Sequence, residues 1–342
     1  MIRARSRFAS LALIATGVLL TTFSAAGASA RPTRDAAANE TVRIALDYSA
    51  NVNYLGIYVA LEKGWFARQN ITVKIIPYAN TPAETLVESG NTDLGITYPP
   101  DVIINRAKGL KYRAVAALAA QNTTALAVLA SSSYTRPAQL DGKLYGGFGI
   151  ASDEPLVSAV LRGDGVAKPS FKQVVLNTDV IDALSKHRIQ YTAVFGGIDD
   201  VTAELQGVKL RLFPFRKFLG AAGRYPNVVF VASDSTISKR ADALRRTLKA
   251  LAQGYEYSAK HPADAERILI ETNRTALGKS AKIVTATGNA TAKTFVDGDG
   301  RWGPLSASAF TGLEKILAKG GLVKGTLPAP GDLFTNALLP KS

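Results

Sequence analysis

The sequence contains no cysteine, two histidines, one methionine and two tryptophans among 342 residues. The missing cysteine excludes disulfides, thiolate metal sites and a cysteine nucleophile, and with them the acylated cysteine that tethers some exported proteins. His187 and His261 fall at the ends of predicted helices, where an imidazole caps or complements terminal carbonyls. With no third histidine and no Gly-x-Ser-x-Gly, neither a histidine-rich zinc site nor a serine triad is easily built, so neither a metal nor a catalytic centre is expected. Long apolar runs are missing too. The run from Phe8 to Phe23 falls short of the roughly 20 residues that a helix needs to cross a bilayer.

Acids are fewer than bases, 27 Asp and Glu against 41 Lys and Arg, for a net charge of +14. The bases are scattered among the acids, Arg245-Arg246 being the densest group, and no aromatics interleave with them as stacking platforms would require. Nucleic acid is therefore not an expected partner. Arg3, Arg5 and Arg7, the apolar run and Ala28-Ser29-Ala30 follow one another as in a cleavable secretory signal over residues 1–30. Removing that segment, whose only charges are the three arginines, takes the net charge to +11. Residues 31–40 have no periodicity and read as a flexible tail. The protein is expected to be periplasmic or secreted, without a lipid anchor and monomeric.

From Thr41 onward, patterns of period two alternate with patterns of period 3.6. Val42, Ile44 and Leu46 predict a strand, 55–68 a helix loosened at Gly64, and 71–76 a second strand. Thr81-Pro82-Ala83-Glu84 has the form of a capping box with proline at the first helical position, opening a helix to about Ser89. Strands are predicted at 93–97, 115–118 and 125–130, with a helix at 101–108. After a loop at 131–140, a second series starts at Lys143 and runs through a helix at 153–162, a strand at 174–176, a helix at 179–186 and strands at 191–195 and 210–213. The strand 227–232 is expected to return the chain to the first domain, followed by a long helix from Lys239 and helical padding for that domain. The rhythm predicts an α/β fold with a mainly parallel sheet in each of two domains, and ligands at the carboxyl ends of strands. The division is 41–130 with 227–342 as lobe 1 and 131–226 as lobe 2.

The chemistry concentrates where the first strand empties into Asp47-Tyr48-Ser49-Ala50-Asn51-Val52-Asn53-Tyr54. Uncharged donors and acceptors interleaved with phenols suit capture of a flat polar ligand better than bond breaking. Tyr58 continues a helical face and reads as core, whereas Tyr48 and Tyr54 flank asparagines where no core-facing period explains them. Tyr98, Gln121, Asn122 and Thr123 fall at later strand ends, the last three in a polar cluster that either caps a turn or serves a neutral heterocycle. Gly147-x-Gly149-x-x-Ser152 is one glycine short of a dinucleotide fingerprint, and a helix N-terminus capped by Ser152 is the better reading, so no cofactor is expected. Gly278-Lys279-Ser280 lacks the leading glycine of a phosphate loop. Asp297-Gly298-Asp299-Gly300 lacks two calcium ligands and reads as a solvated turn.

Asp-aromatic-x-x-Asn-x-Asn-x-x-Gly-x-Tyr-x-Ala followed by Glu62-Lys63-Gly64-Trp65-Phe66 resembles periplasmic solute-binding proteins for thiamine-pyrimidine precursors, relatives of taurine and alkanesulfonate binders. Matching pieces recur in order: Thr92 to Ile96, Gln121 to Thr123, Gly146-Gly147 with Glu154, Ala203 to Val208, Arg301-Trp302-Gly303 and Phe334 to Pro340. The resemblance implies a two-lobed type II periplasmic binding fold, a ligand between the lobes and delivery to an ABC permease. The loop, the strand ends and the resemblance together give as expected ligand residues Tyr48, Asn51, Asn53, Tyr54, Tyr98, Gln121, Asn122, Thr123, Glu154, Phe195 and Asp199. The departures fall at the ligand. Tyr48 stands where the family has tryptophan, Tyr54 where it has histidine, and Ile198 and roughly Thr202 where it has tryptophan and an acid, a role left to Asp199 or Asp200. The ligand is expected to be hydroxymethylpyrimidine or formylaminopyrimidine, with riboflavin, another flat heterocycle or a taurine-like solute as the alternative. A pyrimidine-forming enzyme of the same fold is the alternative of another class, opposed by the export signal and the missing loop histidine.

Overall fold

The alternation of Val42, Ile44 and Leu46 is that of a strand with one face in the core, and all three are buried. The structure, a computed structural model, describes residues 38–176 and 180–341. The signal segment 1–30 and most of the tail lie outside the described residues. The first strand opens one residue before Thr41, at Glu40, whose carboxylate pairs with Arg240 and Arg246.

Among the described residues ten strands form two sheets: β1 Glu40–Ala45, β2 Ile71–Ile76, β3 Leu94–Thr97, β4 Tyr112–Ala119, β5 Thr124–Leu129, β6 Leu144–Gly147, β7 Lys172–Val175, β8 Tyr191–Phe195, β9 Leu210–Pro214 and β10 Val228–Ser233. The first sheet runs β2-β1-β3-β10-β4 and the second β7-β6-β8-β5-β9. In each, four strands run in one direction and a single strand, β10 or β5, runs antiparallel to both of its neighbours, so each sheet is mainly parallel, as expected, with one reversed strand. The antiparallel strand is the one that crosses over. β10 returns from the second sheet into the first, as predicted, and β5, assigned by the sequence to lobe 1, lies in the second sheet between β8 and β9. The first crossing therefore falls at 120–123, before the loop at 131–140.

Two helices set the opening loop in place. The helix Leu55–Glu62 packs on Ala241–Lys260 so closely that a Cβ on Gly56 would stand 2.3 Å from the Tyr255 ring. Tyr255 then donates to the Asn53 carbonyl at 3.0 Å and stacks on Trp302, whose Nε1 donates to the Leu118 carbonyl. The family-like Arg301-Trp302-Gly303 is thus core structure. The C-terminal helices are more than padding for the first lobe. Ala307–Lys319 meets Ala222 at Gly312 and Pro155 at Gly320, tying both halves into one apolar cluster with Phe310, Val102 and Leu156. The predicted long helix runs Ala241–Lys260, two residues later than its expected start, and Arg240 at its N-cap reaches Asp93 and Glu40.

Candidate functional site

The carboxyl ends of β3 and β8 bring the two sheets together. Tyr98, just past β3, lies on Phe195, the last residue of β8, with ring centroids 6.3 Å apart and planes within 9° of parallel. Beneath them is Asp47. Its Oδ1 accepts from the Tyr54 hydroxyl at 2.8 Å and its Oδ2 from the Tyr98 hydroxyl at 2.9 Å. Burial raises the Asp47 pKa, an effect that the two phenol donors offset only in part. Both phenols are pushed up in turn, first by their own burial and then by the charge of Asp47.

Two further carboxylates sit within electrostatic reach. Glu84 is raised by burial and by Asp47, with the Thr97 side chain as partial compensation. Asp101, in the first turn of the helix Pro99–Ala107, is raised to about 7, mainly by burial and then by Glu84. The predicted capping box does not form: its helix starts at Ala83, with Pro82 at the N-cap and no side-chain cap. Among the described residues no group of three or more His, Cys, Asp or Glu is arranged to hold a metal ion. Three carboxylates, each raised chiefly by burial, beside two stacked rings suit instead a flat ligand bearing N–H donors or positive charge.

The helices that open toward these strand ends offer an anion little. Pro99 and Pro100 supply no N–H, and Asp101 follows them. The helix Asp153–Gly163 carries Asp153 and Glu154 in its first turn, and Asp199–Leu205 carries Asp199 and Asp200. Asp153 is buried and takes a hydrogen bond from the Tyr145 hydroxyl at 3.3 Å, with the backbone of Phe148, Gly149 and Ile150 facing its carboxylate. Ser152, predicted as the cap, makes no side-chain cap bond.

The residues expected at the ligand divide. Tyr48 is 62% exposed beyond β1. Tyr54 is not available as a ring platform: it is 1% exposed, with its hydroxyl on Asp47. Asn51 caps the short turn, its Oδ1 accepting from Asn53 N and its Nδ2 donating to the Ser49 carbonyl. The Gln121 amide donates to the carbonyls of Lys293 and Val296, tying the crossing to the helix Ala281–Ala292 and the segment after it. Thr123 gives its N–H to Asn227 Oδ1 and accepts from Asn227 Nδ2 at 2.6 Å, while Thr124 Oγ1 donates to the same Oδ1. Asn227 thereby staples the outgoing strand to the returning one, a role the sequence reading did not assign. Asn122 is buried, with Oδ1 on Thr124 N and its side chain against the Tyr225 phenol. Glu154 is exposed at the start of its helix. Asp199 Oδ2 accepts from Phe195 N at 2.7 Å and Asp200 Oδ1 from Gly197 N, so both shape the loop after β8.

Asp47, Glu84 and Asp101 were missed as site residues. The available signal was an acid directly following the apolar strand β1, a position that burial makes costly unless donors converge on it. The Asp297 turn is self-contained, its carboxylate taking the N–H of Asp299 and Arg301 and pairing with the Arg301 side chain. Two open hollows, one around Arg245, Lys249 and Lys341 and one around Ile104, Ala107 and Leu322, contain none of the expected ligand residues.

Two sheets of one topology, joined by two stapled crossings and meeting at strand carboxyl ends, define the two-lobed periplasmic binding protein fold. The solved periplasmic aliphatic sulphonate binding protein of Escherichia coli shares it at a TM-score of 0.67 and 14% identity, covering 88% of this chain and 94% of that one. Residues 51–265 match the NMT1/THI5-like family, and the chain belongs to that family. Among its relatives is the formylaminopyrimidine-binding protein of Halalkalibacterium halodurans, 27% identical over 248 residues, or 69% of this chain and 72% of the relative. Another is the 4-amino-5-hydroxymethyl-2-methylpyrimidine phosphate synthase of Candida albicans, 24% identical over 64% of this chain and 68% of the relative.

Proposed function

We propose that this chain is the extracytoplasmic substrate-binding component of an ABC importer, capturing a small flat nitrogen heterocycle, neutral or cationic, and delivering it to a permease in the cytoplasmic membrane. The observation that carries this reading is Asp47, gripped by two phenols beneath the Tyr98–Phe195 stack with Glu84 and Asp101 in electrostatic reach. An aminopyrimidine such as hydroxymethylpyrimidine or formylaminopyrimidine offers N–H donors to a carboxylate and a π-face to a ring. A sulfonate offers the reverse, and the nearby helix starts are closed to it by prolines or by their own acids. The name of the Halalkalibacterium relative supports the same ligand class.

The synthase activity for which the Candida relative is named is opposed here by Tyr54, which fills the loop position where the family pattern has histidine and is buried against Asp47. Ala28-Ser29-Ala30 supports export, with an intact mass beginning near Arg31 as the expected product. The two crossings near 120–123 and Asn227 support hinge closure on the ligand. Titration calorimetry against hydroxymethylpyrimidine, formylaminopyrimidine, thiamine, riboflavin and taurine tests the reading. Binding of at least one heterocycle with silence from taurine is expected, and tight taurine binding with silence from every heterocycle would sink it.

A further inference from the structure

Six of the eight large hydrophobic side chains exposed among the described residues cluster at four strand ends: Tyr48, Tyr78, Phe148, Ile150, Val174 and Val175. The remaining two, Leu205 and Leu327, stand apart in the sequence. The four strands occupy matching places. β1 and β2 lie beyond β3 in the first sheet, as β6 and β7 lie beyond β8 in the second. The register Ala45↔Ile76 puts Tyr48 and Tyr78 side by side just past β1 and β2, with ring centroids 6.1 Å apart at 32°. On the other sheet, Gly149, at φ +75, folds the loop against Val175 so closely that a Cβ there would stand 3.1 Å from both methyl groups. Each lobe thus carries an apolar plate outside the inner stack of Tyr98 and Phe195. Concentration of exposed apolar surface in this way marks a binding surface rather than ordinary scatter.

We infer that the ligand has two parts, and that Tyr78 selects for the second. This rests on the proposed binding function and deepens it. The inner part is the polar heterocycle at Asp47 and Tyr98, and the outer part is an apolar or aromatic group lying across Tyr48 and Tyr78. Two inter-strand steps of about 4.8 Å separate β3 from β2, so a ligand reaching from Tyr98 to Tyr78 spans roughly 10 Å. A single six-membered ring does not cover that distance. Two linked rings or a fused tricycle do.

Fluorescence or calorimetric titration of the full exported protein with hydroxymethylpyrimidine (one ring), thiamine (two linked rings) and riboflavin (three fused rings) tests this. At least one larger ligand should bind tenfold or more tightly than the single ring, since an aromatic contact and its buried area are together of that order. Tyr78→Ala should weaken the larger ligand about fivefold to tenfold and change the single ring less than twofold. Tyr78→Phe should keep the preference. Tyr78 is 41% exposed, so the variants should fold, with circular dichroism as the check. If the single ring binds as tightly as any larger ligand, or Tyr78→Ala weakens both equally or neither, the two-part ligand is refuted while heterocycle binding stands. Silence from all three ligands and from formylaminopyrimidine overturns the binding proposal itself.

Discussion

Tyr98→Phe removes one oxygen, and the structure says what that oxygen does. It donates to Asp47 Oδ2 at 2.9 Å while Tyr54 holds Oδ1 at 2.8 Å, so the variant leaves a half-satisfied carboxylate in a site that already disfavours its charge. A hydrogen bond to a charged group contributes roughly 1.5–3 kcal/mol. Proton uptake by the stranded carboxyl relieves part of the loss, so we expect about 2 kcal/mol near neutral pH, a melting temperature lower by roughly 5 °C. The sign of the pH dependence follows. Asp47 is raised in the folded state, so the fold binds more protons than the unfolded chain above the ordinary aspartate range, and its ionisation costs stability as pH rises. Losing a donor raises Asp47 further. The deficit of Tyr98→Phe should therefore grow between about pH 5 and about pH 8. Urea unfolding at both pH values measures it, and a double-mutant cycle with Asp47→Asn should return a coupling above about 1 kcal/mol. The phenyl ring still lies on Phe195, so ring stacking is retained. A deficit of equal size at both pH values, combined with additivity in the cycle, would refute the assignment of the Tyr98 hydroxyl to Asp47.

Tyr48→Ala should weaken a bound aromatic ligand by at least about tenfold in calorimetry, with Tyr48→Phe costing less; wild-type affinity in the alanine variant would remove Tyr48 from the site. Asn227→Ala deletes bonds to Thr123 N, Thr123 Oγ1 and Thr124 Oγ1 and should lower stability by roughly 2–3 kcal/mol, seen as a lower urea midpoint. An unchanged midpoint would mean that the staple is idle. Asp101, raised to about 7, makes the folded state the better proton binder between about pH 4 and 7, so its ionisation erodes stability as pH rises through that window. Asp101→Asn should flatten the fall in melting temperature from about pH 5 to about pH 8, and an unaltered slope would show that Asp101 titrates as an ordinary carboxylate.

The strands and most helices were legible because their periodicity is local. Which sheet a strand joins was not. β5 has the same apolar run whether it pairs with β4 or with β8, and its partners at 191–195 and 210–214 are far along the chain. Tyr54 misled for a related reason. A tyrosine among asparagines looks exposed, yet Asp47, seven positions earlier, draws its hydroxyl inward and the ring follows. Glu84 looked like half of a capping box, but the helix begins one residue later than the pattern and its acid turns toward the floor of the site. Polar residues at the crossing were correctly located, and their use was misjudged: Gln121 and Thr123 bind backbone and Asn227.

The interleaving of the sheets also sets an order in time. β10 is hydrogen-bonded between β3 and β4, so during synthesis those two strands wait for more than a hundred further residues before the strand that joins them exists. Even then Ala114 in β4 is left for Phe334 and Thr335, near the far end of the chain, to bridge. Contacts so distant in sequence are slow to close. The first lobe cannot complete its sheet while the chain is still emerging, so a nascent chain stays open until almost all of it has been made. A truncation before residue 228 should yield a chain that holds all five strands of the second sheet but lacks β10, leaving the first sheet split between β3 and β4.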